Sequence, residues 1–355
     1  MSRFLHERYR SMEAYTPGEQ PQDMEYIKLN TNESPYPPSP EVIAAVSSGE
    51  VEKLRLYPDP ECKELREALA NRFGTNKENI FVSNGSDDIL NFAFMAFAGL
   101  GGAVTFPEIS YGFYQVFAEL HGINFRAVPL NEEFSIDINA YTKNDSMVVI
   151  ANPNAPTGLM LSTNEVETIL KSNPDHVVLI DEAYVDFGGT SCASLVDKYN
   201  NLLVVQTFSK SRSLAGGRLG FAIANSELIK DLEKIKYSTN PYSINRLTLL
   251  AGTAAIASDS YFMDKCKEIV ETREYTKEEL KKSGFVVTDS YANFLFVKKE
   301  GFSGEEIYRK LRENGILVRH FTKKSICDYN RVTVGTKEQM ETFLNVIRKI
   351  CEVQK

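Results

Sequence analysis

The chain has 355 residues, a formal net charge of −8, and 43% hydrophobic against 25% charged residues. This is an ordinary globular mix, long enough for about two domains, and it excludes disordered and collagen-like classes. The acidic balance speaks against a nucleic-acid or anionic-membrane surface while leaving room for a local basic pocket.

Residues 1–10 alternate charged and apolar side chains and lack the apolar stretch of a signal peptide. Pro17-Gly18 and the run Ser34–Pro40 mark residues 1–40 as an irregular N-terminal arm. From residue 41 onward, helix and strand patterns alternate. Leu65, Leu69 and Phe73 fall four apart, so Glu61–Phe73 is a predicted helix with one apolar face. Ile80–Val82 reads as a short strand and Asp87–Ala98 as an apolar helix. Ile89–Pro107 is 19 residues without a charge, numerically long enough to span a bilayer. Gly99, Gly101, Gly102 and Pro107 break it, so it reads as a buried helix, a turn and the strand Ala103–Phe106, not a membrane span. Met147–Ala151, Val177–Ile180 and Leu202–Val205 are short apolar runs spaced by about one βα repeat, as in a parallel sheet covered on both faces. Residues 41–245 are therefore a predicted doubly wound α/β domain. Beyond 245 come a charged helix (Lys265–Lys282), the strand Ala292–Val297, an amphipathic helix (Gly304–Asn314), strands at Ile316–Arg319 and Arg331–Val334, and a closing helix. These predict a smaller α+β domain over 246–355. The five cysteines form no CxxC and the four histidines no metal-ligand spacing. No metal site or disulfide framework is expected, and a reducing, cytoplasmic setting follows.

Ligands of open α/β sheets sit at the carboxyl ends of the strands. Here those ends carry Asn152-Pro-Asn-Ala-Pro-Thr-Gly158, Asp181-Glu-Ala-Tyr184, Gln206-Thr-Phe-Ser-Lys210 with Arg218 beyond, and Ser83-Asn-Gly-Ser-Asp87 opening a helix. Singly, each has a plain explanation. Gly85-Ser86-Asp87 is an ordinary helix cap, Asp181 a cap, Lys210 a solvated charge, Arg218 an ion-pair residue, and Asn154 a turn former. Together they offer a helix N-terminus and an arginine for an anion beside a lysine, a carboxylate and a phenol. Lys210-Ser211 lacks the glycine a Walker loop needs at 209, Gly216-Gly217 is not GxGxxG, and no GxSxG is present. The set suits pyridoxal phosphate.

Asn-Pro-Asn-x-Pro-Thr-Gly, Asp-Glu-Ala-Tyr, and Ser-Lys followed eight residues later by Arg resemble the fold-type I aminotransferases. Leu29-Asn-Thr-Asn-Glu33, Tyr57-Pro58, Tyr111-Gly-x-Tyr114 and Arg331–Thr336 narrow the resemblance to the histidinol-phosphate aminotransferase group, over nearly the whole chain and in order. The resemblance implies transamination between histidinol phosphate and 2-oxoglutarate on pyridoxal phosphate. Lys210 holds the cofactor covalently and shuttles the proton, Asp181 keeps the pyridine nitrogen protonated, and Tyr184 holds the phenolic oxygen. Tyr111 stacks on the ring. Ser209, Arg218 and the amides around Gly85, Ser86 and Asp87 take the phosphate, with Tyr57 arriving from the second subunit of a homodimer. Tyr15, Asn32, Arg319 and Arg331 surround the anionic end of the substrate, phosphate or the distal carboxylate of glutamate. Ala155 departs from the pattern, which has Asn before Pro-Thr-Gly; Asn154 or Asn152 is the expected replacement, or Tyr184 alone. Two other readings stay open. A threonine-phosphate decarboxylase would usually carry His-Gly-Gly-Asn where Leu29-Asn-Thr-Asn stands, and an aromatic amino-acid aminotransferase would use the arginine for a carboxylate.

Overall fold

A computed structural model describes residues 2–10, 12–13 and 15–352, so Met1, Ser11, Ala14 and 353–355 lie outside it. Twelve strands occur among the described residues: β1 (Ile27–Leu29), β2 (Ile80–Ser83), β3 (Ala103–Pro107), β4 (Asn124–Val128), β5 (Met147–Ala151), β6 (Val178–Asp181), β7 (Leu202–Thr207), β8 (Gly220–Ala224), β9 (Phe285–Val287), β10 (Phe294–Lys299), β11 (Ile316–His320) and β12 (Asn330–Thr333). Seven form one sheet in the order β2-β8-β7-β6-β5-β3-β4. β4, β3, β5, β6 and β7 run parallel, and β8 is antiparallel to both of its neighbours.

The uninterrupted apolar runs have their predicted consequence, burial on both faces. In β5, β6 and β7, Val148, Ile150, Val178, Ile180, Leu202 and Val204 point into one core. The intervening Val149, Ala151, Leu179, Leu203 and Val205 point into the other. Because side chains alternate along a strand, that parity carries past the strand ends and decides which residues reach the ligand-bearing rim.

Five strands make the second sheet, in the order β1-β11-β12-β10-β9. Its outermost strand comes from the segment read as an irregular arm. Ile27, Lys28 and Leu29 pair in parallel with Ile316, Leu317 and Val318, and Leu29 is buried in the small-domain core. Three residues are too short for a periodicity signal. A second difference is at the domain boundary. Ala251, Ala255 and Phe262 pack in the large-domain core, so the helix Arg246–Ala257 sits with the large body, and the crossing falls within the 24-residue helix Asp259–Lys282. The predicted helix Asp87–Ala98 is α-helical over Ser86–Ala93 and continues as a π-helical turn to Ala98. Among the described residues no helix is long and apolar enough to cross a membrane.

Candidate active site

The carboxyl ends of β5, β6 and β7, with the N-terminus of the helix Ser86–Ala93, enclose a cavity of about 200 Å³. Its walls include Ser86, Asp87, Tyr111, Asp181, Tyr184, Ser209, Lys210 and Arg218, which the sequence singled out, and also Ala151, Pro153, Ala183 and Thr207, which it did not. Ala151, Asp181 and Thr207 follow the strand parity: each continues the face of β5, β6 or β7 that carries Val149, Leu179 and Val205. Glu182, one residue on, faces the other way. It accepts hydrogen bonds from Ser191 Oγ, the Cys192 N–H and Gln206 Nε2 at 2.5, 2.6 and 2.8 Å.

The Arg218 end of the cavity is made by close backbone approach. Gly85 precedes the helix with φ +85°, and a Cβ there would lie 2.8 Å from Arg218 Nη2. A Cβ on Gly220 of β8 would lie 2.4 Å from the Ser86 nitrogen. Only glycine permits both contacts, so the first-turn amides and the guanidinium share one cup. Arg218 Nη1 donates to Ser209 Oγ at 3.4 Å, and Nη2 donates to Asp87 Oδ2 at 3.2 Å. Asp87 also accepts from the Tyr111 phenol at 2.8 Å.

At the other end lies Asp181, 4% exposed. Burial pushes its carboxyl up to about 6, although hydrogen bonds from the Tyr114 phenol (2.8 Å) and the Ala183 N–H (3.2 Å) pull it back. Lys210 Nζ donates to the Thr31 carbonyl at 3.1 Å. Burial, reinforced by the positive charge of Arg331, brings this amine down to about 8, so a minor neutral fraction exists at neutral pH and grows to about half at pH 8. The Tyr184 phenol accepts from Asn32 Nδ2 at 3.0 Å. Asn32 (φ +57°) is itself held by Thr333 and Asn293.

Arg319 and Arg331 stand directly opposite each other on β11 and β12. Like charges in that register repel. Arg319 donates to the Thr16 and Pro17 carbonyls and Arg331 Nη2 to the Asn30 carbonyl, while the buried Arg331 Nε has no hydrogen-bond partner among the described residues. The two guanidiniums thus have carbonyl acceptors and no carboxylate hydrogen-bonded to them among the described residues. Tyr15 stacks on Phe113, with centroids 4.3 Å apart, and meets Tyr111 edge-on.

Three expected residues do not line this cavity. Asn154 is fully engaged away from the cavity: it donates to the Ile109 carbonyl and Thr157 and accepts from Ser110. Asn152 likewise brackets Leu161 through its backbone. Ala155 lines the cavity instead. Tyr57 is 81% exposed, stacked on Tyr242, and does not line the cavity of its own chain. Tyr114, in the first turn of the helix Phe113–His121, had no role from the sequence; its place in the Tyr111-Gly-x-Tyr114 motif was the available signal.

Residues 24–347 match the family described as aminotransferase class I and II, and the chain belongs to that family. Within it, the similarity is to the histidinol-phosphate aminotransferases. The chain is 51% identical over 351 residues to that of Brachyspira hyodysenteriae and 46% identical over 350 residues to that of Clostridium botulinum, in both cases covering 99% of each chain. Among solved structures, the histidinol-phosphate aminotransferase of Sinorhizobium meliloti in complex with pyridoxal-5'-phosphate superposes with a TM-score of 0.85 at 22% identity, covering 93% of this chain and 92% of that one. At that identity the likeness is one of fold.

Proposed function

We propose that this chain transfers the amino group of histidinol phosphate to 2-oxoglutarate, giving imidazole-acetol phosphate and glutamate, on pyridoxal phosphate bound in the Lys210 cavity. The facing pair Arg319–Arg331 beside that cavity carries the substrate part of the reading. The relatives at 46–51% identity support it over the decarboxylase and aromatic alternatives.

The donor set suits the cofactor. Ser209, Arg218 and the Ser86 and Asp87 amides would hold its phosphate, Asp181 its ring nitrogen and Tyr184 its phenolic oxygen. Lys210 would hold it covalently, with Tyr111 against its face. When bound, the cofactor supplies an electron sink for charge left at the substrate Cα. Asp181 keeps a proton at the ring nitrogen. Lys210, about half neutral at pH 8, would take the proton from the substrate Cα and return it two bonds away, on the far side of the amine nitrogen. With Asn154 engaged elsewhere, Tyr184, held by Asn32, serves the phenolic oxygen without it.

A single-turnover panel of histidinol phosphate, threonine phosphate, phenylalanine and aspartate, read as loss of the bound cofactor's absorption band, tests the reading. Histidinol phosphate is expected to react fastest; higher kcat/KM for phenylalanine would overturn it. Arg331→Ala should raise KM for histidinol phosphate about tenfold to a hundredfold, since hydrogen bonds to charged groups contribute roughly 1.5–3 kcal/mol each. Histidinol, lacking the phosphate, should be indifferent to the change.

The same reading includes a homodimer with shared sites. Ile43, Val51, Leu54, Leu56 and Tyr57 are exposed apolar side chains within one stretch of chain, which suits a buried contact. Co-refolding inactive Lys210→Ala chains with inactive Tyr57→Ala chains should restore part of the activity. Sedimentation of the wild type as a monomer at assay concentration would contradict it. A cytoplasmic setting agrees with five unpaired cysteines.

A further inference from the structure

Tyr111 lies just before the helix Phe113–His121 and Tyr114 in its first turn, and their phenols donate to two different carboxylates, Asp87 and Asp181, each at 2.8 Å. The two rings meet edge to face, with centroids 5.7 Å apart. Tyr114 is fully buried, packed against Phe106 as well as Tyr111. Phenylalanine would fill that space equally well. The hydroxyl is the one polar part of the ring, and a buried hydroxyl requires a partner. Its partner is the carboxylate assigned above to the ring nitrogen.

We propose that Tyr114 is a positioning residue for the reaction: its hydrogen bond to Asp181 Oδ2 fixes that carboxylate in the cavity and lowers its proton affinity, so that the shared proton resides on the cofactor's ring nitrogen. The proposal rests on the pyridoxal-phosphate reading of the cavity. Asp181 is buried, which raises its proton affinity, and Asp87 raises it further. Lys210 and the donors on Tyr114 and Ala183 oppose this; the Tyr184 phenol also faces Asp181, and the Tyr111 phenol faces Tyr114. The Ala183 N–H, at 3.2 Å, reaches the other oxygen, Oδ1. Without the Tyr114 donor, Asp181 becomes the stronger base, the proton moves toward it, and the ring withdraws electrons less well. The phenol keeps its own proton throughout, because burial and the adjacent carboxylate both raise its proton affinity.

The test compares wild-type holoenzyme with Tyr114→Phe carrying 15N-labelled cofactor. The ring-nitrogen resonance is expected to move toward the neutral-pyridine position in the variant, with kcat down about tenfold and both KM values within about twofold. In the cofactor-free full chain, the Asp181 carboxyl, followed by 13C NMR and assigned by its loss in Asp181→Asn, should titrate about one pH unit higher in Tyr114→Phe. An unchanged ring-nitrogen resonance and an unchanged carboxyl midpoint would reduce Tyr114 to core filling and overturn the proposal. Should Tyr114→Phe not fold, 3-fluorotyrosine at 114, a stronger donor, must move the carboxyl midpoint down; no movement overturns the proposal equally. Failure of the cofactor reading looks different. The labelled cofactor would then not bind, or Asp181→Asn would turn over normally, whatever the carboxyl titration showed.

Discussion

Lys210→Ala is expected to lose turnover by at least about 10²–10⁴-fold, the range supplied by one positioned acid–base group, with further loss from the missing covalent link. The cavity otherwise remains, so the variant should still bind the cofactor noncovalently through the Ser209–Arg218 cup. Borohydride reduction of the wild type followed by peptide mapping should find the cofactor mass on Lys210; attachment at any other lysine would refute the assignment. The amine also has a pH signature. Burial lowers its proton affinity to about 8, so the neutral, reactive form accumulates as pH rises through that value instead of near 10.5. Amine-directed labelling of the cofactor-free chain should therefore show one lysine whose rate rises through about pH 8 and which Lys210→Ala removes.

Asp181→Asn is expected to keep the fold and the cofactor and to lose turnover by about 10²-fold or more, the scale associated with deleting one preorganised charge-stabilising group. A neutral amide cannot hold a protonated ring nitrogen by charge. The sign with pH follows from the raised affinity of this carboxyl. It is ionised above about 6 in the cofactor-free chain and becomes protonated below, so cofactor binding should weaken as pH falls through that region in the wild type. In Asp181→Asn that inflection should vanish. A retained inflection at the same pH, measured by cofactor fluorescence on titration, would assign it to another group.

Most of the cavity was legible because it is built from strand ends. The runs Met147–Ala151 and Leu202–Val205 announce buried parallel strands, and the chemistry-bearing residues follow them directly in sequence. What was hidden depends on tertiary approach. Ile27–Leu29 is a strand only because β11 offers it an edge. β4 carries exposed Asn124, Phe125 and Arg126 at the rim of the sheet, so no clean alternation marks it. The engagement of Asn154 with Ile109 and Thr157 could not be read from the motif, since it needs a loop from a neighbouring strand. Tyr114 was visible as a motif letter. That its hydroxyl reaches Asp181 is a consequence of one helical turn meeting one strand end.

The pairing of β1 with β11 joins stretches close to the two ends of the chain. During synthesis, Ile27–Leu29 emerges early and has no edge to join until Ile316–Val318 has been made, long after the large sheet has all its strands. The contact closes one of the longest loops the chain allows, and such contacts slow folding because chain entropy must be lost before they reward it. The small sheet therefore cannot be completed until late in synthesis. Asn30, Thr31 and Asn32, which follow β1 and meet Arg331, Lys210 and Tyr184, come into place in that same step. The strand-end residues of the large sheet are thus made before the segment around Asn30–Asn32 can settle, and Ile27–Leu29 is the strand left waiting, open to mispairing with other chains.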